Sequence, residues 1–96
     1  MKPDICITVR FKTPEEGGRK GPVLGALYAC PMMVDGEGFD CRLMIKDAEL
    51  LAGQWYDVPV QFLNRKLAIP RLSVGKKVIL WEGRDVADGV VARIIS

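Results

Sequence analysis

The chain has 96 residues, of which 49% are hydrophobic, and 14 basic against 12 acidic residues give a net charge of +2. This length fits one small domain over residues 1–96, and so small a charge excess does not by itself indicate a nucleic-acid-binding protein. No apolar run reaches the roughly 18 residues that a membrane span needs, and the first residues lack the apolar segment of a signal peptide. We therefore expect a cytoplasmic protein without membrane contact.

The sequence contains few residues that could act in catalysis or bind a metal ion. The chain contains no histidine, which removes the commonest general base, the commonest metal ligand and the usual partner of a nucleophilic Cys or Ser. Three cysteines, Cys6, Cys30 and Cys41, show no Cys-x-x-Cys spacing and are too few for a four-thiolate zinc site. We predict reduced thiols and a protein that is not an enzyme, with no catalytic residue, metal site or cofactor.

The chain begins with one strand pattern and a loop. Residues 5–12 alternate apolar and polar side chains with period two, which is typical of a strand with one buried face. Pro14 ends the pattern because proline cannot donate to a sheet ladder. Residues 15–22, which read Glu-Glu-Gly-Gly-Arg-Lys-Gly-Pro, predict a flexible loop.

A hairpin is predicted next. Residues 23–34 indicate one irregular or bulged strand, because Gly25 and Pro31 interrupt its apolar residues. Two glycines in 35–38 predict a turn. Residues 39–46 alternate again, so the two strands around that turn are expected to pair.

The second half predicts three more strands. Residues 56–63 place alternate apolar side chains on one face, while Pro59 falls on the other face and indicates a bulge or a sheet edge. Residues 76–81 form a short strand, and a tight turn leads to the last strand at 86–95, where Gly89 is a candidate bulge. About six short strands separated by Gly and Pro turns predict an all-β fold, a small closed antiparallel barrel.

Three stretches in this order resemble parts of one known domain. They are the loop at 15–22, the turn at 51–53 with the strand 57–62 after it, and the run Trp-Glu-Gly-Arg-Asp-Val-Ala-Asp-Gly-Val-Val-Ala-Arg-Ile at 81–94. Together they look like the C-terminal third β-barrel of translation elongation factor Tu, over nearly all of residues 5–95. The resemblance implies a Greek-key barrel. The sequence departs from the family at 25–31, which reads Gly-Ala-Leu-Tyr-Ala-Cys-Pro and lacks the family's Arg and Gln, and the terminal turn has one Gly instead of two.

The resemblance also implies a binding role. In the family this barrel contacts the acceptor and T-stem backbone of aminoacyl-tRNA, packs on the GTPase domain and meets the nucleotide-exchange partner. By position, the first-loop contact falls on Arg19 and Lys20, and the terminal-turn contact falls on Gly83 and Arg84. The chain has no G-x-x-x-x-G-K-[ST] loop, so nucleotide binding and GTPase activity are not expected.

Basic residues in the second half add candidates. Arg65 and Lys66 would extend a phosphate-binding patch if they shared a side of the barrel with the first loop; a solvated face is the other interpretation. Three aromatic residues, Trp55, Tyr56 and Trp81, are expected to cap the core, with base stacking as the alternative. We therefore expect a binding module whose partner is RNA, contacted through a tRNA-like backbone, or a protein. The alternative is a structural or protein-interaction barrel that has lost RNA binding, and the sequence does not decide between them.

Overall fold

In the computed structural model, which describes residues 2–95, the strands are β1 (Ile5–Phe11), β2 (Leu27–Val34), β3 (Glu37–Met44), β4 (Trp55–Phe62), β5 (Lys77–Trp81) and β6 (Asp85–Ile94). Burial alternates along β1, β2 and β5 as the period-two pattern predicts, whereas β6 departs from it where its register shifts. A 3₁₀ turn (Pro14–Glu16) follows β1, and a short helix α1 (Arg65–Ala68) leads into a second 3₁₀ turn (Ile69–Arg71) before β5. Among residues 2–95, no helix is long and apolar enough to cross a membrane.

The strands close into a barrel in the order β1-β4-β3-β2-β5-β6, with every neighbouring pair antiparallel. The strands β2, β3 and β4 follow one another as neighbours, and β1 lies beside β4, which is the Greek-key arrangement. Pairing of β6 with β1 completes the closure and removes the long open edges that a chain rich in Val and Ile would otherwise expose. The prediction of a small closed all-β barrel is confirmed.

One hydrophobic core fills the interior. Alternate residues of the strands point inward, and each large aliphatic side chain removed from water contributes about 1.5 to 3 kcal/mol. The largest side chains with almost no exposed surface are Ile5, Ile7, Val9, Met32, Leu43, Val60 and Leu80. Gly89 also faces this core, since a Cβ there would lie 3.1 Å from the Val78 side chain.

The bulges of β6 lie elsewhere than predicted. Gly89 pairs in regular register with Val9 and Val78, so the expected bulge at that glycine is wrong. The register shifts instead fall opposite Leu80/Trp81 of β5 and opposite Cys6/Ile7 of β1. Glycine at position 89 allows close packing against Val78 and does not mark a β-bulge.

Two prolines limit the pairing of the strands that contain them. Pro31 lies within β2 opposite Asp40 of β3, but β2 pairs with β5 only at Met32 and Met33. Pro59 likewise lies within β4, and the pairing of β4 with β3 stops at Val60. The missing amide hydrogen of proline ends a ladder without ending the strand. The edge predicted at Pro59 is therefore present, and the irregular strand predicted for 23–34 is a regular strand from Leu27 onward.

The antiparallel directions divide the connections between two ends of the barrel. The connections 12–26 and 45–54 and the turn 82–84 lie at one end, which we call the loop end. The turn 35–36 and the connection 63–76, which contains α1, lie at the other end, which we call the helix end.

Candidate binding surfaces at the two ends of the barrel

The first loop starts with an ordered turn rather than a flexible segment. The Glu16 carboxylate accepts hydrogen bonds from the Thr13 amide at 2.9 Å and the Thr13 hydroxyl at 3.0 Å, and it forms an ion pair with Arg10 at 3.0 Å. The Thr13 amide, followed by Arg10, lowers the pKa of Glu16 to about 2. Gly17 then ends the turn in the left-handed region, with φ of 91°.

Gly18 lets the loop cross the end of β1. Its amide donates to the Thr13 carbonyl at 2.9 Å. A methyl group at Gly18 would overlap the Lys12 carbonyl oxygen, which is backbone and cannot rotate away. The glycine pair of the loop therefore has two separate causes: one position needs a left-handed conformation and the next needs space.

Arg19 joins the first loop to the terminal turn. Its Nε lies 3.1 Å from Oε2 of Glu82, and its guanidinium carbon lies 5.2 Å from the centroid of the Tyr28 ring. The Tyr28 hydroxyl donates to the same Glu82 oxygen at 3.0 Å. These three side chains close the side of the barrel where the ladder between β2 and β5 has stopped at Pro31.

Tyr28 is held as a neutral donor in this cluster. The residue is buried, and its ring meets Phe11 edge-on, with centroids 5.5 Å apart. Burial is the largest cause that raises the pKa of Tyr28 well above its usual range, and the Cys30 thiol and the Glu82 hydrogen bond add to it. The phenol consequently keeps its proton around neutral pH and remains a hydrogen-bond donor to Glu82.

The terminal turn presents its cation next to the first loop. The Glu82 amide donates to the Arg84 carbonyl at 2.9 Å, and Gly83 between them takes φ of +74°. Lys20, Gly83 and Arg84 are exposed, and within residues 2–95 neither Lys20 nor Arg84 forms an ion pair. We call Arg19, Lys20, Glu82, Gly83 and Arg84 the loop–turn surface. It unites the first loop and the terminal turn, the two most distinctive stretches of the sequence.

The other two candidates, Arg65 and Lys66, lie at the helix end. Arg65 forms an ion pair with Asp4 at 3.3 Å and donates to the Ile95 carbonyl at 3.4 Å. The second oxygen of Asp4 accepts from the Phe62 amide at 2.8 Å. Arg65 thus connects the N-terminal segment at Asp4 with the C-terminal segment at Ile95. Lys66 is exposed and forms no ion pair within residues 2–95.

Two further basic residues of the second half, Arg71 and Lys76, contact acids at the β2–β3 turn and the start of β3. Arg71 pairs with Glu37, and Lys76 lies 2.6 Å from Asp35, whose pKa the Lys76 hydrogen bond lowers. These contacts belong to the helix end. The candidate basic residues therefore form two separate surfaces, not one continuous patch: Arg19, Lys20 and Arg84 lie at the loop end, and Arg65 and Lys66 lie at the helix end.

The aromatic side chains differ from the sequence prediction in two respects: the exposure of the tryptophans and the role of Tyr28. Trp55 and Trp81 are 57% and 41% exposed, so the expectation that they cap the core is wrong, whereas Tyr56 packs against the core as expected. Trp55 is paired with Arg10 on the outward-facing register of β1, which explains its exposure. Tyr28 and Glu82 were not singled out from the sequence, and the only signal was that Glu82 opens the terminal Glu-Gly-Arg turn.

The outer wall of the barrel carries a shallow depression. Its volume is about 310 Å³, and it lies beside Trp55, Ile79 and Val90, while the interior is filled by the core side chains. Among residues 2–95 no group of three or more Cys, Asp or Glu side chains is close enough to hold a metal ion. The chemistry that these surfaces offer is ionic, hydrogen-bonding and apolar contact with a partner.

Comparison with known proteins does not add a family. No protein-family model matches the chain, and no curated protein matches it significantly. The likeness to the third barrel of elongation factor Tu therefore stays a prediction, and the geometry of the two ends has to support the functional argument.

Proposed function

We propose that the chain is a non-catalytic binding module whose loop–turn surface holds an RNA phosphate backbone. The observation that carries the proposal is the Arg19–Glu82 contact at 3.1 Å, because it fixes the first loop against the terminal turn. Lys20 and Arg84 then face solvent from neighbouring segments whose positions are already set. The resemblance to a tRNA-contacting barrel, which rests on these same two segments, supports the same assignment.

The expected binding is weak, independent of sequence and strongly dependent on salt. Lysine, arginine and backbone amides position a nucleic acid by its phosphates and read no bases. Two exposed cations displace about two counterions, so the logarithm of the binding constant falls with a slope of roughly −1.5 to −2 against the logarithm of salt concentration. Because the loop is already ordered, little conformational entropy is lost on binding.

Binding of bulk tRNA at low salt tests the proposal. The double variant Lys20→Ala/Arg84→Ala removes both unpaired cations, and we expect it to abolish most of the binding and its salt dependence. Lys66→Ala/Lys77→Ala is the matched control, since it removes the same charge from exposed positions at or near the helix end. Equal loss in both double variants would show that only net charge matters, and wild-type protein that fails to bind tRNA would end the RNA proposal.

A protein-interaction barrel without RNA binding is the second candidate. It is favoured by exposed apolar side chains at the loop end, where Leu24, Leu27 and Leu51 are 61%, 41% and 49% exposed. Glu82 also offsets one of the cations beside them. Affinity capture from the source cells after ribonuclease treatment separates the two candidates. A partner retained without RNA, and lost with Leu24→Ser/Leu27→Ser, would favour this one.

A further inference from the structure

Two of the three cysteines face each other across the β2–β3 hairpin. Cys30 and Cys41 are register partners, both are buried, and the Cys41 thiol donates to the Cys30 carbonyl at 3.2 Å. Directly opposed residues of antiparallel strands have Cα atoms about 4.5 to 5.5 Å apart, inside the range of about 4.4 to 6.8 Å that disulfides adopt. Cys6 is half-buried on the outward-facing register of β1, apart from this pair.

We propose that Cys30 and Cys41 are an oxidation site, at which a low-molecular-weight disulfide converts the two thiols into a cross-strand disulfide. Cys30 is the more accessible of the two and attacks first, as a thiolate, on one sulfur of the small disulfide. The old sulfur–sulfur bond breaks, and one small thiol leaves. The Cys41 thiolate then attacks the Cys30 sulfur and releases the second small thiol. Two electrons reduce the small disulfide, and the two cysteine protons end on the released thiols.

Attack requires the hairpin to open, and its attachment to the barrel permits this. The strands β2 and β3 pair with each other along their whole length. In contrast, β2 pairs with β5 at Met32–Met33, and β3 pairs with β4 at Cys41–Leu43, with one more backbone hydrogen bond from Leu63 to Asp40. A unit attached by short ladders opens at a lower free energy than the whole barrel unfolds.

The closed barrel protects the pair, and the open hairpin exposes it. The contact with Cys30 and then burial raise the pKa of the Cys41 thiol, so little thiolate exists while the hairpin is closed. Opposed Cβ atoms lie about 4.5 to 5.5 Å apart, somewhat more than the about 3.8 Å of a relaxed disulfide. Forming the bond draws the strands slightly together, and an added thiol such as dithiothreitol reverses it by exchange. The site is therefore slow to form and reversible.

The test uses the Cys6→Ser variant, which retains only the two opposed thiols. The protein is equilibrated with oxidised glutathione, quenched in acid, and alkylated after unfolding. We expect a monomer in which neither cysteine is alkylated. Its mass should be about 2 Da below that of the reduced, unalkylated chain, with no glutathione attached. Its midpoint of thermal unfolding should rise by at least about 5 °C, and dithiothreitol should reverse both changes. Cys6→Ser/Cys41→Ala is the control and should show no 2 Da loss.

Three results would each overturn the proposal. The first is that both cysteines stay open to alkylation after equilibration, including in the presence of enough urea to open the hairpin below the unfolding transition. The second is that glutathione remains attached to Cys30 as a mixed disulfide. The third is that the chains become linked to each other instead of internally.

Discussion

Glu82→Ala is the change that most directly tests how the loop–turn surface is held. It removes the single oxygen that receives both the Tyr28 hydroxyl and the Arg19 guanidinium. A hydrogen bond to a charged acceptor contributes about 1.5 to 3 kcal/mol. The ion pair adds only about 0 to 1 kcal/mol, because its side chains are 30% and 46% exposed. We expect the free energy of unfolding to fall by about 2 to 3 kcal/mol.

Urea denaturation of four variants separates the contribution of the hydrogen bond from that of the ion pair. The variants are Glu82→Ala, Tyr28→Phe, Glu82→Gln and the double variant Tyr28→Phe/Glu82→Ala. Tyr28→Phe should lose about 1.5 to 3 kcal/mol, because it removes the donor of this hydrogen bond and leaves the ion pair. Glu82→Gln keeps an uncharged acceptor for the phenol, so it should lose about 1 kcal/mol or less. In the double variant Tyr28→Phe/Glu82→Ala, the loss should be smaller than the sum of the single losses by the value of the shared bond, about 1.5 to 3 kcal/mol, because the sum counts that bond twice. Fully additive losses would refute the shared hydrogen bond.

The same Glu82→Gln variant also tests the RNA proposal. The amide keeps an oxygen that can accept from Arg19 and hold the first loop, but it no longer neutralises the Arg19 charge. The tRNA affinity at low salt should therefore increase, and its salt slope should become steeper by roughly one ion. Filter binding or fluorescence anisotropy at several salt concentrations measures both quantities. Weaker tRNA binding by this variant, with the fold intact by circular dichroism, would contradict the placement of the RNA site.

Three further changes test the supports of the two ends. Gly18→Ala should lower the free energy of unfolding by about 1 to 3 kcal/mol, since the new methyl group meets the Lys12 carbonyl; an unchanged urea midpoint would contradict this. Glu16→Gln should remove a stabilisation that is present above about pH 4.5 and is lost as pH falls toward 2, because the Thr13 amide lowers the Glu16 pKa. Thermal unfolding midpoints of the two proteins should therefore converge at low pH. Asp4→Ala leaves a buried strand amide without its acceptor, so it should cost about 1 to 3 kcal/mol in urea denaturation.

Strand positions were predictable because their signal is local. The alternation at Ile5–Phe11 and Trp55–Phe62 reports which side chains face the core, and these strands match the predictions closely. The prediction for β2 was less accurate, because Gly25 and Pro31 were interpreted as interruptions of one irregular or bulged strand. In the barrel, Pro31 only limits pairing with β5.

The candidate site was predictable only in part. Arg19 and Arg84 were identified from the composition of their loops and from the family resemblance, but nothing local connects them. Glu82, which holds Arg19, lies 54 residues from its other partner Tyr28. Such a contact depends on which strands become neighbours, and the alternation within one strand carries no information about that order.

The amino-acid sequence by itself therefore determined the elements of this protein: short strands with one apolar face, turns at glycine and proline, and a small barrel as the way to bury those faces. The tertiary structure alone decided the order β1-β4-β3-β2-β5-β6, the separation of the basic residues between two ends, and the facing of Cys30 and Cys41. The physical reason is that burial patterns act within a few residues, whereas closure of the barrel brings together groups from distant parts of the chain.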